Sequence, residues 1–217
     1  MYFASRYELG KTLASKVEQL KGEEAIVLCL KDSALLSAIS LASHIHGWVY
    51  PLLTEPLVIP GDGRTLGVIN QDGELCHNPA LSKFEIEDIE MNNQAIIQES
   101  SREAFSRLNR RTSEYGSLNK DALRGRTVIV VGDVVKDQLE IGAAREYLKT
   151  IAINKIVSLV GNISPESSNI LYLESDESSF LDVVPNMFDD NHYFEQLDQY
   201  TVEDQRKLAM NIAQYWT

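Results

Sequence analysis

Three short groups of residues in this chain carry charged and small side chains of the kind that can line a ligand site. Asp133 follows the run Thr127-Val-Ile-Val-Val-Gly132. It is a candidate catalytic carboxylate, and a divalent cation can be held by such a group through water. Around it, Gly132, Val134, Lys136, Asp137 and Glu140 form a candidate ligand loop, and Lys31-Asp32-Ser33 forms a second. In each loop a lysine can meet an anion while an aspartate opposes it. Asp137 and Glu140 stand three apart at the start of a helical pattern. That spacing predicts Asp137 as N-cap with Glu140 reaching back to its amide, so that the helix's own carboxylates take the place of an anion at its positive end.

The elements that must position these groups read as βα units. Thr127 to Val131 is β-branched and apolar without alternation, the pattern of a central strand covered on both faces. Leu139, Ala143, Tyr147 and Leu148 continue as an amphipathic helix, which puts Asp133 at the carboxyl end of a strand, where open α/β sheets bind ligands. Further core strands are expected at 25–30, 48–53 and 155–160. A hairpin is expected at 66–77 around Gln71-Asp72-Gly73. Helices are expected from Tyr7 to Leu20, from about Ala34 to His46 with Gly47 just past its end, and from the capping box at Ser82 and Glu85 to about Arg111. Asp32 or Ser33 is expected to cap the second of these. The segments 55–64 and 112–121 read as loops, 170–173 and 181–184 as short edge strands, and Thr201-Val-Glu-Asp204 as the cap of a last helix ending near Trp216. One domain over 1–217 is expected, with an insert at about 54–80.

Composition excludes several classes. The 217 residues carry a formal net charge of −12, with 20 Lys and Arg against 32 Asp and Glu, which argues against general affinity for nucleic acid or an anionic membrane. No apolar run reaches the roughly 18 residues of a membrane helix, and the amino terminus, with Arg6 and Lys11, lacks a signal-peptide core. A cytoplasmic protein is expected. Cys29 and Cys76 are expected to be free thiols, since two cysteines make no disulfide framework. The four histidines have no metal-ligand spacing. The arginines at 102, 107, 110 and 111 suit a helix carboxyl end.

The order of these pieces resembles the type I phosphoribosyltransferases, in particular the small bacterial ones. The resemblance is carried by Phe3-Ala-Ser-Arg6-Tyr-Glu8-Leu-Gly10, by the strand entry Leu123-Arg-Gly-Arg-Thr-Val-Ile-Val-Val, and by Tyr193-Phe-Glu-Gln196 followed by Val202-Glu-Asp204. It implies a Rossmann-like parallel sheet with helices on both faces and a small hood hairpin. It also implies a donor site for phosphoribosyl pyrophosphate after the central strand, where two acids bind ribose hydroxyls, and Mg²⁺ if the protein is active. Here the first acid is Gly132, Asp133 remains, and Asp137-Gln-Leu-Glu140 stands where a Thr-Gly-Ala-Thr-like phosphate loop is expected. Lys31-Asp32-Ser33-Ala34 replaces a glycine-containing pyrophosphate loop, and Thr54-Glu55-Pro56 replaces basic residues leading into the hood. The expectation is a phosphoribosyltransferase-fold protein serving as a non-catalytic binding or regulatory module. The alternatives are an active transferase acting on a nucleobase-like acceptor through Asp133, Lys31 and Lys136, and an α/β domain of unrelated activity. A small phosphorylated or nucleotide-like ligand and a homodimer through the long helix, with Met91, Ile97 and Phe105 in its stripe, are also expected.

Overall fold

The computed structural model describes residues 1–59, 61, 63–115, 118–197 and 199–216, and the backbone alone of Val202. In chain order the strands are β1 (Ile26–Cys29), β2 (Trp48–Pro51), β3 (Glu55–Val58), β4 (Thr65–Ile69), β5 (Leu75–His77), β6 (Thr127–Val135), β7 (Lys155–Ile163) and β8 (Glu177–Val183). The α-helices are α1 (Arg6–Ala14), α2 (Leu35–Ile45), α3 (Lys83–Tyr115), α4 (Leu139–Leu148), α5 (Pro165–Glu174) and α6 (Val202–Met210). The chain packs as two compact units. One comprises Met1–Leu52, Leu118–Asp137 and Ile151–Thr217, the other Leu53–Ser117 and Gln138–Thr150.

The first unit is built on a parallel sheet of order β2-β1-β6-β7-β8. Ile26 pairs with both Trp48 and Val128, and Val128 in turn with Ile156. All nine residues of β6 are buried, so the expected central strand is covered on both faces. The strands expected at 127–131 and 155–160 run further, to Val135 and Ile163. Asp133 therefore lies inside a strand, and its charge is matched there by a partner described below.

Helix α1 lies close on α2. A Cβ at Gly10 would come within 2.3 Å of the Ser37 carbonyl oxygen, and the Ser37 and Ser40 hydroxyls donate to the carbonyls of Arg6 and Tyr7 at 3.0 and 2.7 Å. Small residues on both helices permit this approach. The helix is shorter than expected. It ends at Ala14, and Glu18–Leu20 forms a separate 3-10 turn after Val17 leaves the helical region at φ −132°. At the end of α2 the left-handed residue is His46, at φ 58°, and not Gly47. Gly47 is small for another reason, since a Cβ there would meet the Ala25 carbonyl oxygen at 2.9 Å.

The segment expected as an edge strand at 170–173 is part of helix α5. Ser164 caps it by accepting from the Ser167 amide at 3.2 Å, and Pro165 occupies the first turn, where its missing N–H costs nothing. The edge strand is β8, parallel to β7. Thr201 and Asp204 form the expected capping box of α6, and Trp216 then stacks on His46 with ring centroids 5.4 Å apart.

The second unit holds the antiparallel sheet β3-β4-β5. The expected hairpin forms, its turn held by buried Asn70, whose Oδ1 accepts from the amides of Asp72 and Glu74 at 3.0 Å each. Residues 55–58, expected as loop, form edge strand β3, where Pro56 is tolerated. Of the two expected loops, Pro60, Asp62, Gly116 and Ser117 lie outside the described residues. Ser82 and Glu85 form the capping box of α3. That helix is kinked at Asn93, at φ −128°, where the side-chain amide donates to the Ile89 carbonyl at 3.0 Å and competes with the helical bond. Its buried residues are Ile89, Ala104 and Leu108, which join clusters with Leu57, Ile59 and Leu66 and with Leu53 and Ile69. Ile97 packs into the first of these clusters, while Met91 is exposed. Near the end of α3, two of the four arginines hold a carboxylate. Arg107 and Arg111 both meet the Glu55 carboxylate, at 3.2 and 2.6 Å.

Candidate ligand site at the strand ends

Beyond β1 the chain turns through Lys31 into a 3-10 turn, Asp32–Ala34, and then α2. Neither Asp32 nor Ser33 caps α2, whose N-cap is Ala34 without a side-chain bond. Ser33 instead points its hydroxyl across to β6, donating to Asp133 Oδ1 at 3.1 Å.

Asp133 is fully buried, with 0% of its surface exposed. Oδ2 accepts from Arg6 Nε at 2.9 Å, and Oδ1 accepts from the Val134 amide at 2.8 Å as well as from Ser33. Arg6 is itself 5% exposed. It enters from the first turn of α1, donates through Nη2 to Asn191 Oδ1 at 2.9 Å, and lies over the Phe194 ring at 4.3 Å. A buried carboxylate persists only when its charge and lone pairs are matched. Here one guanidinium, one hydroxyl and one amide supply the match.

A second charged group lies beside the first. Asp190 opens a 3-10 turn, Asp190–Tyr193, and its carboxylate meets Lys136 Nζ at 2.9 Å and Lys31 Nζ at 3.5 Å. The Lys136 contact is an ion pair without the direction of a hydrogen bond. The turn is tied in place by Asn191 on Arg6 and by the Phe3 amide on the Tyr193 carbonyl at 2.8 Å. Asn162 is fully buried in β7 and donates to the Met1 carbonyl at 2.9 Å.

The structure thus brings together four of the expected residues, Lys31, Ser33, Asp133 and Lys136. Val134 contributes its amide, already engaged. Gly132 is buried, and a Cβ there would meet Val135 Cγ2 at 2.6 Å, so the acid expected from the resemblance would have to displace the Val135 side chain. Asp32 and Asp137 are on the surface. Asp137 is not the N-cap of α4: the helix starts at Leu139, and Gln138 stands at the cap in a helical conformation with no side-chain bond. Glu140 lies in the first turn of α4, in the second unit. Arg6, Asp190 and Asn191 were not among the expected site residues. The signal for Arg6 was an arginine on the helix side that also carries Leu9 and Leu13.

Mg²⁺ finds no ready carboxylate at Asp133, both of whose oxygens already accept protein donors. Among the described residues no group of three or more His, Cys, Asp or Glu is arranged to hold a metal ion. None of the described helices is long and apolar enough to cross a membrane.

No family profile and no curated protein matches this chain. Among solved structures it is similar to TT1426 from Thermus thermophilus, at 24% identity and a TM-score of 0.76 over 97% of this chain and 98% of that one. A hypoxanthine phosphoribosyltransferase from Staphylococcus aureus is less similar, at 14% identity and TM-score 0.46, over 84% of this chain and 74% of that one. A hypothetical protein from Neisseria gonorrhoeae with bound ppGpp stands at 12% and 0.45, over 94% and 91%. These likenesses concern fold. The α/β fold with a five-stranded parallel sheet and a small antiparallel sheet, expected from the sequence, is shared with TT1426.

Proposed function

We propose that this chain is a phosphoribosyltransferase-fold protein that binds a small phosphorylated, nucleotide-like ligand at its strand ends without ordinary phosphoribosyl transfer. The observation that carries this reading is Asp133. A carboxylate that binds ribose hydroxyls must offer them an oxygen, and both oxygens of Asp133 are buried and bonded to Arg6, Ser33 and the Val134 amide. The position before it is Gly132, which has no carboxylate to take over the role. The strand ends also hold two cations, Lys31 and Lys136, which converge on the Asp190 carboxylate. In this reading the protein is a binding or regulatory module.

The test combines calorimetric titration with phosphoribosyl pyrophosphate and Mg²⁺, a nucleotide panel, and a turnover assay with nucleobases. Binding without turnover is expected, and it is expected to disappear in Lys31→Met/Lys136→Met. Turnover by the wild type would overturn the reading in favour of an active transferase. We propose in addition a homodimer through α3, where Phe84 and Met91 are 77% and 78% exposed. Light scattering that shows a monomer at tens of micromolar would refute it.

A further inference from the structure

The carboxylate of Asp190 stands where two lysines from separate loops converge. Lys31 follows β1 and Lys136 follows β6, and the sheet places the ends of these neighbouring strands side by side. Two ammonium groups at 2.9 and 3.5 Å around one pair of oxygens is the arrangement that a phosphate or pyrophosphate group takes between lysines. The oxygens come from within the chain. Asp190 is partly exposed, with 24% of its side chain accessible, and so are Lys31 at 19% and Lys136 at 37%. The three side chains are partly accessible, unlike the closed Arg6–Asp133 pair, although Asp190 Oδ1 itself is buried against Lys136.

We propose that Asp190 is an internal ligand of the anion site, so that a phosphorylated molecule binds by displacing its carboxylate from Lys31 and Lys136. This rests on the reading that the strand ends take such a molecule, and it adds how access is controlled. The two lysines share the Asp190 carboxylate, and a pyrophosphate group, which carries more negative charge than one carboxylate, would meet both of them more fully. The anchor of the turn points the same way, since Asn191 holds it to Arg6 and the Tyr193 carbonyl holds it to Phe3. Asp190 is thus kept near the lysines, at a high effective concentration, while its Oδ1 makes only an undirected contact with Lys136. Displacing it requires a rearrangement of its side chain and leaves the anchored turn in place.

The experiment is calorimetric titration with inorganic pyrophosphate of the wild type, Asp190→Asn, Asp190→Ala, and Glu195→Gln, all at one ionic strength. Glu195 is an exposed acid in the same segment, so its variant changes the net charge equally without touching the lysines. Both Asp190 variants are expected to bind pyrophosphate at least tenfold more tightly than the wild type, about 1.4 kcal/mol, and Glu195→Gln less than twofold. Adding Lys31→Met/Lys136→Met to Asp190→Asn should remove the gain. Equal gains in the Asp190 and Glu195 variants, or a gain that survives loss of the lysines, would overturn the proposal. Wild type and Asp190→Asn binding equally tightly, with loss in the lysine variant, would sink the internal ligand but leave the functional reading standing. Absence of pyrophosphate binding in every variant would sink the proposal, while the nucleotide panel decides the functional reading separately.

Discussion

Replacing Arg6 by Met keeps most of the side chain's length and removes the guanidinium paired with Asp133, which has no exposed surface of its own. Breaking a buried pair by removing one partner costs about 3–5 kcal/mol, because a charge is left buried without its match. Two features set where in that range this site falls. Asp133 keeps two donors, the Ser33 hydroxyl and the Val134 amide, which lowers the cost. Against this, Arg6 also gives up its bond to Asn191 and its place over the Phe194 ring, the latter alone about 0.5–1 kcal/mol or more. The two corrections roughly cancel, and a loss of about 4 kcal/mol is expected. For a chain of this length that lowers Tm by roughly 8–16 °C. The assay is urea unfolding followed by circular dichroism, run as a double-mutant cycle with Asp133→Asn. The double variant should lose clearly less than the two single losses added together, with a coupling of about 2 kcal/mol. A loss below about 1 kcal/mol for Arg6→Met, the size of an exposed pair, would refute the claim that this ion pair closes the site.

Three other outcomes follow from the packing. Gly10→Ala should cost about 1–3 kcal/mol by overpacking, since the new methyl would meet the Ser37 carbonyl oxygen at 2.3 Å and push α1 from α2; a neutral thermal melt would contradict this close approach. Both cysteines are free and buried, burial pushing the Cys29 thiol well up and that of Cys76 to about 11, so a disulfide reagent at pH 8 should label neither in the folded protein and both in denaturant. The Ser82 hydroxyl and amide hold the Glu85 carboxylate below its ordinary value. Its contribution to the start of α3 is therefore complete above the usual Glu range near 4.3, and is lost as pH falls through the lower folded value. Amide exchange in that first turn, corrected for intrinsic rates, should lose protection on acidification, and Glu85→Gln should flatten the dependence.

The sequence by itself determined what local physics controls. The apolar run at Ile26 and the unalternating β-branched run at Thr127 became buried parallel strands, because a strand covered on both faces has no polar side to display. The capping boxes at Ser82 and Thr201 and the hairpin at Asp72-Gly73 formed where they were read, since each is settled by bonds among residues at most four apart. Local signals also misled. Asp133 read as part of a loop and 170–173 as an edge strand, whereas the first is a strand residue and the second belongs to a helix. The ion pairing at the strand ends was decided only by the tertiary structure. Arg6 meets Asp133 across 127 positions of sequence, and Lys31 meets Asp190 across 159. An acid that reads as a ligand for sugar hydroxyls and one locked by a distant arginine are the same residue in sequence, because the free energy of a buried charge depends on which partner the fold brings to it.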